Sequence, residues 1–204
     1  MKLYYAPQTI SIAVAIALHE AGVEYTPVML NFPTGEQGKP DYLAINPKGR
    51  VPAIVTQQGI LTETGALLDY VAALAPKASL VPDDPFKAAQ MRAVMYYLAS
   101  TMHVNHAHRV RGQRWADQQS SFDDMAQKTP QTMTESCRFI EDHALQGPYV
   151  MGDEITLADC YLFIVSTWLE GDGVDLDAFP KITGFRELMN SRASVITARE
   201  MGML

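Results

Sequence analysis

The sequence predicts an α/β segment of short strands and helices, followed by a segment that is helical throughout. Three observations predict this. Residues 1–77 alternate between short runs of strand formers and alanine- or leucine-rich runs with helical spacing. Residues 78–86 carry Pro82 and Pro85 beside two aspartates, the composition of a connection. From residue 86 onward no strand pattern recurs, and apolar residues fall at three- and four-residue intervals, as at Met91, Val94, Leu98 and Met102.

The elements follow in order. Lys2-Leu3-Tyr4-Tyr5 is rich in strand formers and stops at Pro7. Residues 11–22 read as a helix closed by Gly22, the residue that takes a left-handed cap without steric cost. Residues 25–30 read as a second strand. Its Pro27 lacks the N–H that a ladder needs, so this strand belongs at an edge. Residues 51–56 and 59–61 form a hairpin turned at Gln57-Gln58-Gly59, and a helix over 62–74 stops before Pro76. A strand, helix and strand in succession imply a parallel pair with a right-handed crossover. The hairpin adds antiparallel partners, which gives a small mixed sheet.

In the second segment, 86–115 reads as one long helix with a bend at Gly112, and 122–145 as another that must absorb Pro130. Residues 156–169 are apolar around most of the circumference and should be the buried centre. Two shorter helices are expected over 180–191 and 194–201.

Charge excludes several functions. Sixteen basic against 23 acidic side chains give a net charge of −7, so phosphate backbones and anionic lipid are not general partners. Of that excess, −6 lies beyond residue 80, against which the cluster Arg109, Arg111 and Arg114 stands out; it also fits a solvated helix face. Cys137 and Cys160 are too far apart for a zinc knuckle or a disulfide framework. The apolar run from Ile12 to Leu18 is far below the ~20 residues of a membrane span, and no secretory pattern opens the chain, so a cytoplasmic protein is expected.

Two stretches can bind an extended peptide. In Asn46-Pro47-Lys48-Gly49-Arg50-Val51-Pro52, the proline sits at the mouth of a strand. A cis bond before Pro52 would turn the Val51 N–H and C=O outward, where a peptide could pair as an added strand. Leu61-Thr62-Glu63-Thr64 leads into a helix, whose first-turn N–H groups suit a carboxylate while Glu63 suits an ammonium group. Ordinary N-capping by Thr62 or Thr64 explains the same residues. Thr156-Leu157-Ala158-Asp159 fits a capping box and is given a structural role only.

Met1-Lys2-Leu3-Tyr4-Tyr5, Leu43-Ala44-Ile45-Asn46-Pro47-Lys48-Gly49, Val51-Pro52, Leu61-Thr62-Glu63 and Thr156-Leu157-Ala158-Asp159-Cys160-Tyr161-Leu162-Phe163 together resemble the cytosolic glutathione transferase family, closest to its bacterial beta-like members. The resemblance covers the whole chain. It implies a thioredoxin-like domain over 1–77 that binds glutathione, an all-helical domain over 86–204 with the electrophile-binding side, and a homodimer. It also implies a cis Val51–Pro52 bond and glutathione as co-substrate, with no separate cofactor. The reaction implied is a detoxifying transferase step, in which the glutathione thiol is activated for attack on a small hydrophobic electrophile.

Residue by residue, the resemblance assigns the cysteinyl backbone of glutathione to Val51 and Pro52. It assigns the γ-glutamyl carboxylate to Thr64 and the amino group to Glu63. The thiol must ionise, and lowering its pKa from about 8.5 by two units takes about 2.7 kcal/mol of preferential anion stabilisation. Here the sequence departs from the beta-like pattern. Where the beta-like pattern has a cysteine preceding the serine at the start of the first helix, this chain has Thr9-Ile10-Ser11, and residues 1–80 hold no cysteine. The hydroxyl donor must be Ser11, Thr9 or Tyr5, with Ser11 first because it matches the family serine at a helix start; a plain N-cap is its other reading.

His103 matches the family histidine near the sulfur. His106 lies one turn on, but His108 is about 200° around the helix from it, and no acid lies between Asp84 and Asp117, so no metal site is expected. His106, Arg109 and Trp168, with Tyr97 and Met102, are candidate liners for the electrophile, although such a stripe also suits a core. Two further functions stay open at this level: a dimer that binds glutathione or an apolar ligand without turnover, and a glutathione-dependent isomerase or dehalogenase.

Overall fold

Four short strands pair in the order β2-β1-β3-β4, with β1 at Lys2–Tyr5, β2 at Thr26–Met29, β3 at Ala53–Val55 and β4 at Ile60–Thr62. The β1–β2 pair is parallel and sets Leu3 opposite Pro27, on the edge strand that proline requires. The β1–β3 and β3–β4 pairs are antiparallel, with Leu3 opposite Ile54 and Ile54 opposite Leu61. The computed structural model describes all 204 residues, which divide into two compact units, Met1–Asp83 with Asn190–Leu204, and Asp84–Met189.

The first unit is built on α1 (Ser11–Glu20), in which every residue from Ser11 to Leu18 is buried. Its alanines let backbone approach backbone, while fully buried Ile12, Ile16 and Leu18 each contribute about 1.5–3 kcal/mol of burial. The helix ends at Gly22 (φ +63°), where Val23 N donates to Leu18 O at 3.0 Å, the bond that closes a left-handed cap. A short α2 (Pro40–Leu43) precedes the hairpin. The next helix, α3 (Thr64–Leu74), starts two residues later than the sequence suggests because Thr62 still pairs in β4.

The division between units differs from the expected boundary. The sequence groups residues 190–204 with the helical domain, yet they pack with the sheet unit. The Glu20 carboxylate at the end of α1 accepts from Arg192 Nε (2.6 Å) and Nη2 (2.7 Å), and from the Ser194 hydroxyl, beside α9 (Ala193–Glu200). Burial opposes ionisation of Glu20, but these bonds outweigh it and hold the carboxyl below its ordinary range. Gln8 N also donates to Met203 O at 2.9 Å. The attraction is between charged side chains distant in sequence, which no local pattern reveals.

In the second unit, α4 (Pro85–Tyr97) begins with the Asp84 side chain accepting from Lys87 N at 2.8 Å. The single helix expected over 86–115 is broken. A π-helical turn at Leu98–Met102 intervenes before α5 (His103–His108), rotating every later side chain relative to an ideal helix. The chain then turns away near Gly112, whose missing side chain makes room for Phe122; a Cβ there would lie 2.8 Å from Phe122 Cδ1.

The next helix, α6 (Gln119–Phe139), contains Pro130 and passes into a π-helical turn at Ile140–Ala144. At the centre is α7 (Leu157–Ser166), all ten residues buried. Its buried Asp159 accepts from Val150 N, Thr156 N and Thr156 Oγ1, each at 2.7 Å, which completes the capping box. Burial raises the Asp159 carboxyl to about 6 against the pull of those bonds. The buried Glu141 carboxylate caps α8 (Pro180–Asn190) by accepting from Lys181 N (2.8 Å) and Ile182 N (3.0 Å). No helix is long and apolar enough to cross a membrane.

Candidate active site

Strand direction and register place three turns of the first unit at one end of the sheet. The C-terminal end of β1 leads into α1, and Tyr4 there faces Ala53, the first residue of β3; Ala53 in turn faces Thr62, the last of β4. The segments Ala6–Ser11, Arg50–Pro52 and Glu63–Thr64 therefore leave the sheet side by side. Ser11, Tyr5, Val51, Pro52, Glu63 and Thr64, scattered over 60 residues of sequence, are gathered by this pairing.

The middle turn is held from below. Tyr42 Oη and Asn46 Nδ2 both donate to the Arg50 carbonyl, at 2.7 and 2.6 Å, which orients the peptide that follows. The Val51–Pro52 bond is cis, and Val51 is half-buried. Gly49 (φ +60°) passes so near the Gln37 carbonyl that a Cβ would stand 3.1 Å from its oxygen, so glycine is required on both counts.

At the third turn, Glu63 takes φ +75°, a conformation that a side chain adopts only at a cost of order 1–3 kcal/mol. Its carboxylate is exposed and pairs with Lys48, which also donates to Thr62 Oγ1 at 2.8 Å. No side chain caps α3, so its first-turn N–H groups are left for another acceptor, and simple capping by Thr62 or Thr64 is not the arrangement found. Lys48 lies in the Asn46-Pro47-Lys48-Gly49 run, 15 residues from Glu63 in sequence. Only the hairpin brings it to Glu63.

The first turn redistributes the expected roles. Ser11 is fully buried and does not cap α1, whose N-cap is Ile10. Its Oγ accepts from Ala6 N (3.2 Å), lies 3.3 Å from Ala6 O and sits 2.6 Å from Thr9 Oγ1. Thr9 is partly exposed, and its hydroxyl donates to Ala6 O at 2.8 Å. The Tyr5 side chain is buried, and adds to the rise of the Tyr25 phenol to about 12 that burial chiefly causes. Tyr25 itself bonds His19 Nε2 at 3.1 Å.

The helical unit assembles its own cluster around Trp168. The His106 ring stacks on the indole with centroids 4.2 Å apart and planes at 22°, while His103 tilts against it at 5.0 Å. His106 Nδ1 lies 3.0 and 2.8 Å from the two oxygens of Asp172. Arg109 Nε stands 2.9 Å from Asp172 Oδ1, an ion pair whose N–H is not aimed along the contact, and Arg109 Nη1 donates to Gly171 O at 2.6 Å. Arg109 is thus engaged inside its own unit rather than free for an acidic electrophile. Of the other suggested liners, Met102 is fully buried, and Tyr97 packs on Phe139 at 4.3 Å. Asp172 was missed. The signal was there in Gly171-Asp172-Gly173, an acid between two glycines, and in a basic helix with no acid of its own.

Comparison with known proteins agrees with this architecture. The family model for the glutathione S-transferase N-terminal domain matches residues 1–73, and that for the C-terminal domain matches residues 115–193. Glutathione S-transferase GstA of Escherichia coli O157:H7 is 28% identical over 198 residues, 96% of this chain and 95% of that protein. A maleylacetoacetate isomerase of Pseudomonas aeruginosa is 32% identical, with 92% and 90% of the two chains covered. The crystal structure of a glutathione transferase homologue from Sulfitobacter with bound glutathione superposes with a TM-score of 0.98 at 62% identity, covering 100% of this chain and 98% of that one. The chain belongs to the glutathione S-transferase family.

Proposed function

We propose that this protein is a glutathione transferase that binds glutathione across the three turns at the end of its sheet and activates the thiol for attack on a small hydrophobic electrophile. One observation carries the reading: an exposed carboxylate (Glu63) beside an uncapped helix start (α3), next to the half-buried Val51 with its cis bond to Pro52 and the hydroxyls of Thr9 and Ser11. These groups answer the amino group, carboxylate, peptide backbone and sulfur of one small peptide in turn. The homologue from Sulfitobacter, crystallised with glutathione, supports the ligand.

The chemistry follows from the groups present. In this reading Glu63 takes the ligand's ammonium group in place of Lys48, and the α3 N–H groups with the Thr64 hydroxyl hold its carboxylate. The sulfur lies toward Thr9. A hydroxyl donated to sulfur, with the positive end of α1 behind it, stabilises the thiolate over the thiol by the required 2–3 kcal/mol. Ser11 supports this by donating to Thr9 Oγ1, which frees the Thr9 proton for the anion. The helical unit supplies the side that receives the electrophile, with His103, His106 and Trp168 as its surface; Arg109 braces it.

Glutathione is the co-substrate of this scheme. Large exposed apolar side chains, Ile60 and Leu74 on one unit and Phe86 and Tyr96 on the other, support the homodimer that the family resemblance implies. The cytoplasmic location belongs to the same reading. Retention on immobilised glutathione together with conjugation of 1-chloro-2,4-dinitrobenzene tests the enzyme. Retention without turnover means a binding protein. A second reading, glutathione-dependent cis–trans isomerisation, is favoured by the 32% identity to a protein named maleylacetoacetate isomerase, and is assayed on a cis-enedione.

A further inference from the structure

Within the sheet unit, α9 runs back along α1 and is bonded to it or its leading turn at both ends. At its start, Arg192 and Ser194 meet Glu20, the last residue of α1. Beyond its end, the Met203 carbonyl accepts from Gln8 N at 2.9 Å, in the turn that precedes α1. Gln8 is the residue before Thr9, whose hydroxyl the transferase reading sets against the sulfur.

The Met203 side of this bond is rigid. Gly202 (φ +69°) closes α9 with a left-handed cap, in which Gly202 N donates to Arg199 O at 2.9 Å and Met203 N to Ala198 O at 3.0 Å. Met203 is fully buried, so its carbonyl is aimed by backbone geometry. The Gln8 side is strained. Gln8 follows Pro7 at φ +58°, a conformation that residues other than glycine and asparagine keep only when their surroundings over-determine it. Bonds inside the turn join Thr9 and Ser11 to Ala6, whereas the bond to Met203 restrains Gln8 from another segment. The torsions of Gln8 in turn set where Thr9, its immediate neighbour, stands.

We propose that Met203, acting through Gln8, is a positioning residue for thiol ionisation: residues 192–203 are a splint that holds the Ala6–Ser11 turn in the form that presents the Thr9 hydroxyl to sulfur. The inference rests on the glutathione transferase reading, with Thr9 as the donor. Without the bond to Met203, Gln8 relaxes toward negative φ in part of the population, and in that part Thr9 leaves the sulfur. The thiol then keeps its proton to a higher pH, because the hydrogen bond that favours the anion is lost. Glu63, Thr64 and Val51 stand on other turns, so attachment of the peptide itself is spared.

The test acts on Gly202, where an added Cβ would meet nothing within 4 Å, so a substitution works through backbone conformation alone. Valine cannot keep the left-handed cap, whereas asparagine can. In the full-length protein, thiolate absorbance against pH should show the pKa of bound glutathione raised by about 0.5–1 unit in Gly202→Val. Turnover of 1-chloro-2,4-dinitrobenzene below that pKa should show kcat down about three- to tenfold, with KM for glutathione within about twofold of wild type. Gly202→Asn should restore the wild-type pKa. A folded Gly202→Val protein with an unmoved pKa, or equal shifts in both variants, overturns the proposal. Wild-type protein supplies a check that needs no variant. By linkage, a bond that favours the thiolate is favoured by it. The Gln8 amide should therefore exchange with D2O about three- to tenfold more slowly in the glutathione complex, above its thiol pKa, than in the complex with S-methylglutathione, which forms no thiolate. Equal exchange also overturns the inference. Wild-type protein that fails to bind glutathione, or leaves its thiol pKa at the free value, sinks the transferase reading itself. A lowered wild-type pKa that is indifferent to Gly202 sinks this inference alone.

Discussion

Thr9 Oγ1 and Ser11 Oγ lie 2.6 Å apart at the start of α1, and both reach the same acceptor, the Ala6 carbonyl, at 2.8 and 3.3 Å. The two hydroxyls have only two protons for these three contacts. In the proposed complex a sulfur anion at this turn takes the Thr9 proton from the carbonyl, while Ser11 stays behind it. Thr9→Val should therefore raise the pKa of bound glutathione by about 1–2 units, and lower the rate below that pKa about 10- to 100-fold. The ultraviolet absorbance of the thiolate against pH measures it. Ser11→Ala should affect the pKa less but cost about 1–3 kcal/mol in urea unfolding, because buried Ala6 N loses its acceptor. Tyr5→Phe should leave the pKa where it is.

Glu63 is the one acidic side chain that the proposal sets against the ligand's amino group. A hydrogen bond to a charged group contributes about 1.5–3 kcal/mol. Glu63→Gln is thus expected to raise KM for glutathione about 10- to 100-fold while kcat stays within a few-fold. Steady-state kinetics with glutathione varied decides this. A fall confined to kcat would detach Glu63 from glutathione binding.

The Glu20–Arg192–Ser194 cluster ties the end of α1 to the last helix. Glu20→Gln should lower the unfolding free energy by about 1.5–3 kcal/mol and expose α9 to limited proteolysis before the rest of its unit. Glu20 titrates lower in the folded protein than in the unfolded chain. Its contribution is therefore present above the ordinary glutamate pKa, and lost only as pH falls below that range. Urea unfolding of wild type and variant should differ at neutral pH and converge in acid.

Asp159 behaves in the opposite sense. Its carboxyl is raised from 3.8 to about 6 by burial, so between those pH values the folded protein holds more protons than the unfolded chain. Stability from this group is greatest in acid and declines as pH rises from about 4 to 6, by on the order of 3 kcal/mol. Asp159→Asn abolishes that decline. The stability advantage of wild type over the variant should shrink over this window and then level off, as urea unfolding at several pH values can measure. The variant should also be less stable throughout, since an amide cannot accept all three of the donors at 2.7 Å.

Sequence reading worked where the physics is local. The strand formers of Lys2–Tyr5, the cap at Gly22, the edge position forced by Pro27 and the capping box at Thr156 and Asp159 all depend on neighbours within a turn or two. The residues proposed to hold glutathione were legible because Val51-Pro52 and Glu63-Thr64 each form a short motif. The single long helix expected over 86–115 misled, because a π-helical turn depends on how the helix packs rather than on its spacing.

What the chain's own order of residues determined, then, was the mixed sheet, the helical second half and the segments able to meet a peptide. Only the tertiary structure decided that Ser11 is enclosed while Thr9 stays partly exposed, that Lys48 meets Glu63, that Asp172 closes on His106 and Arg109, and that residues 190–204 return to the sheet unit. The reason is common to all four. Burial and charge pairing depend on which groups the folded chain brings within a few ångströms, and spacing along the sequence carries that information only over a few residues.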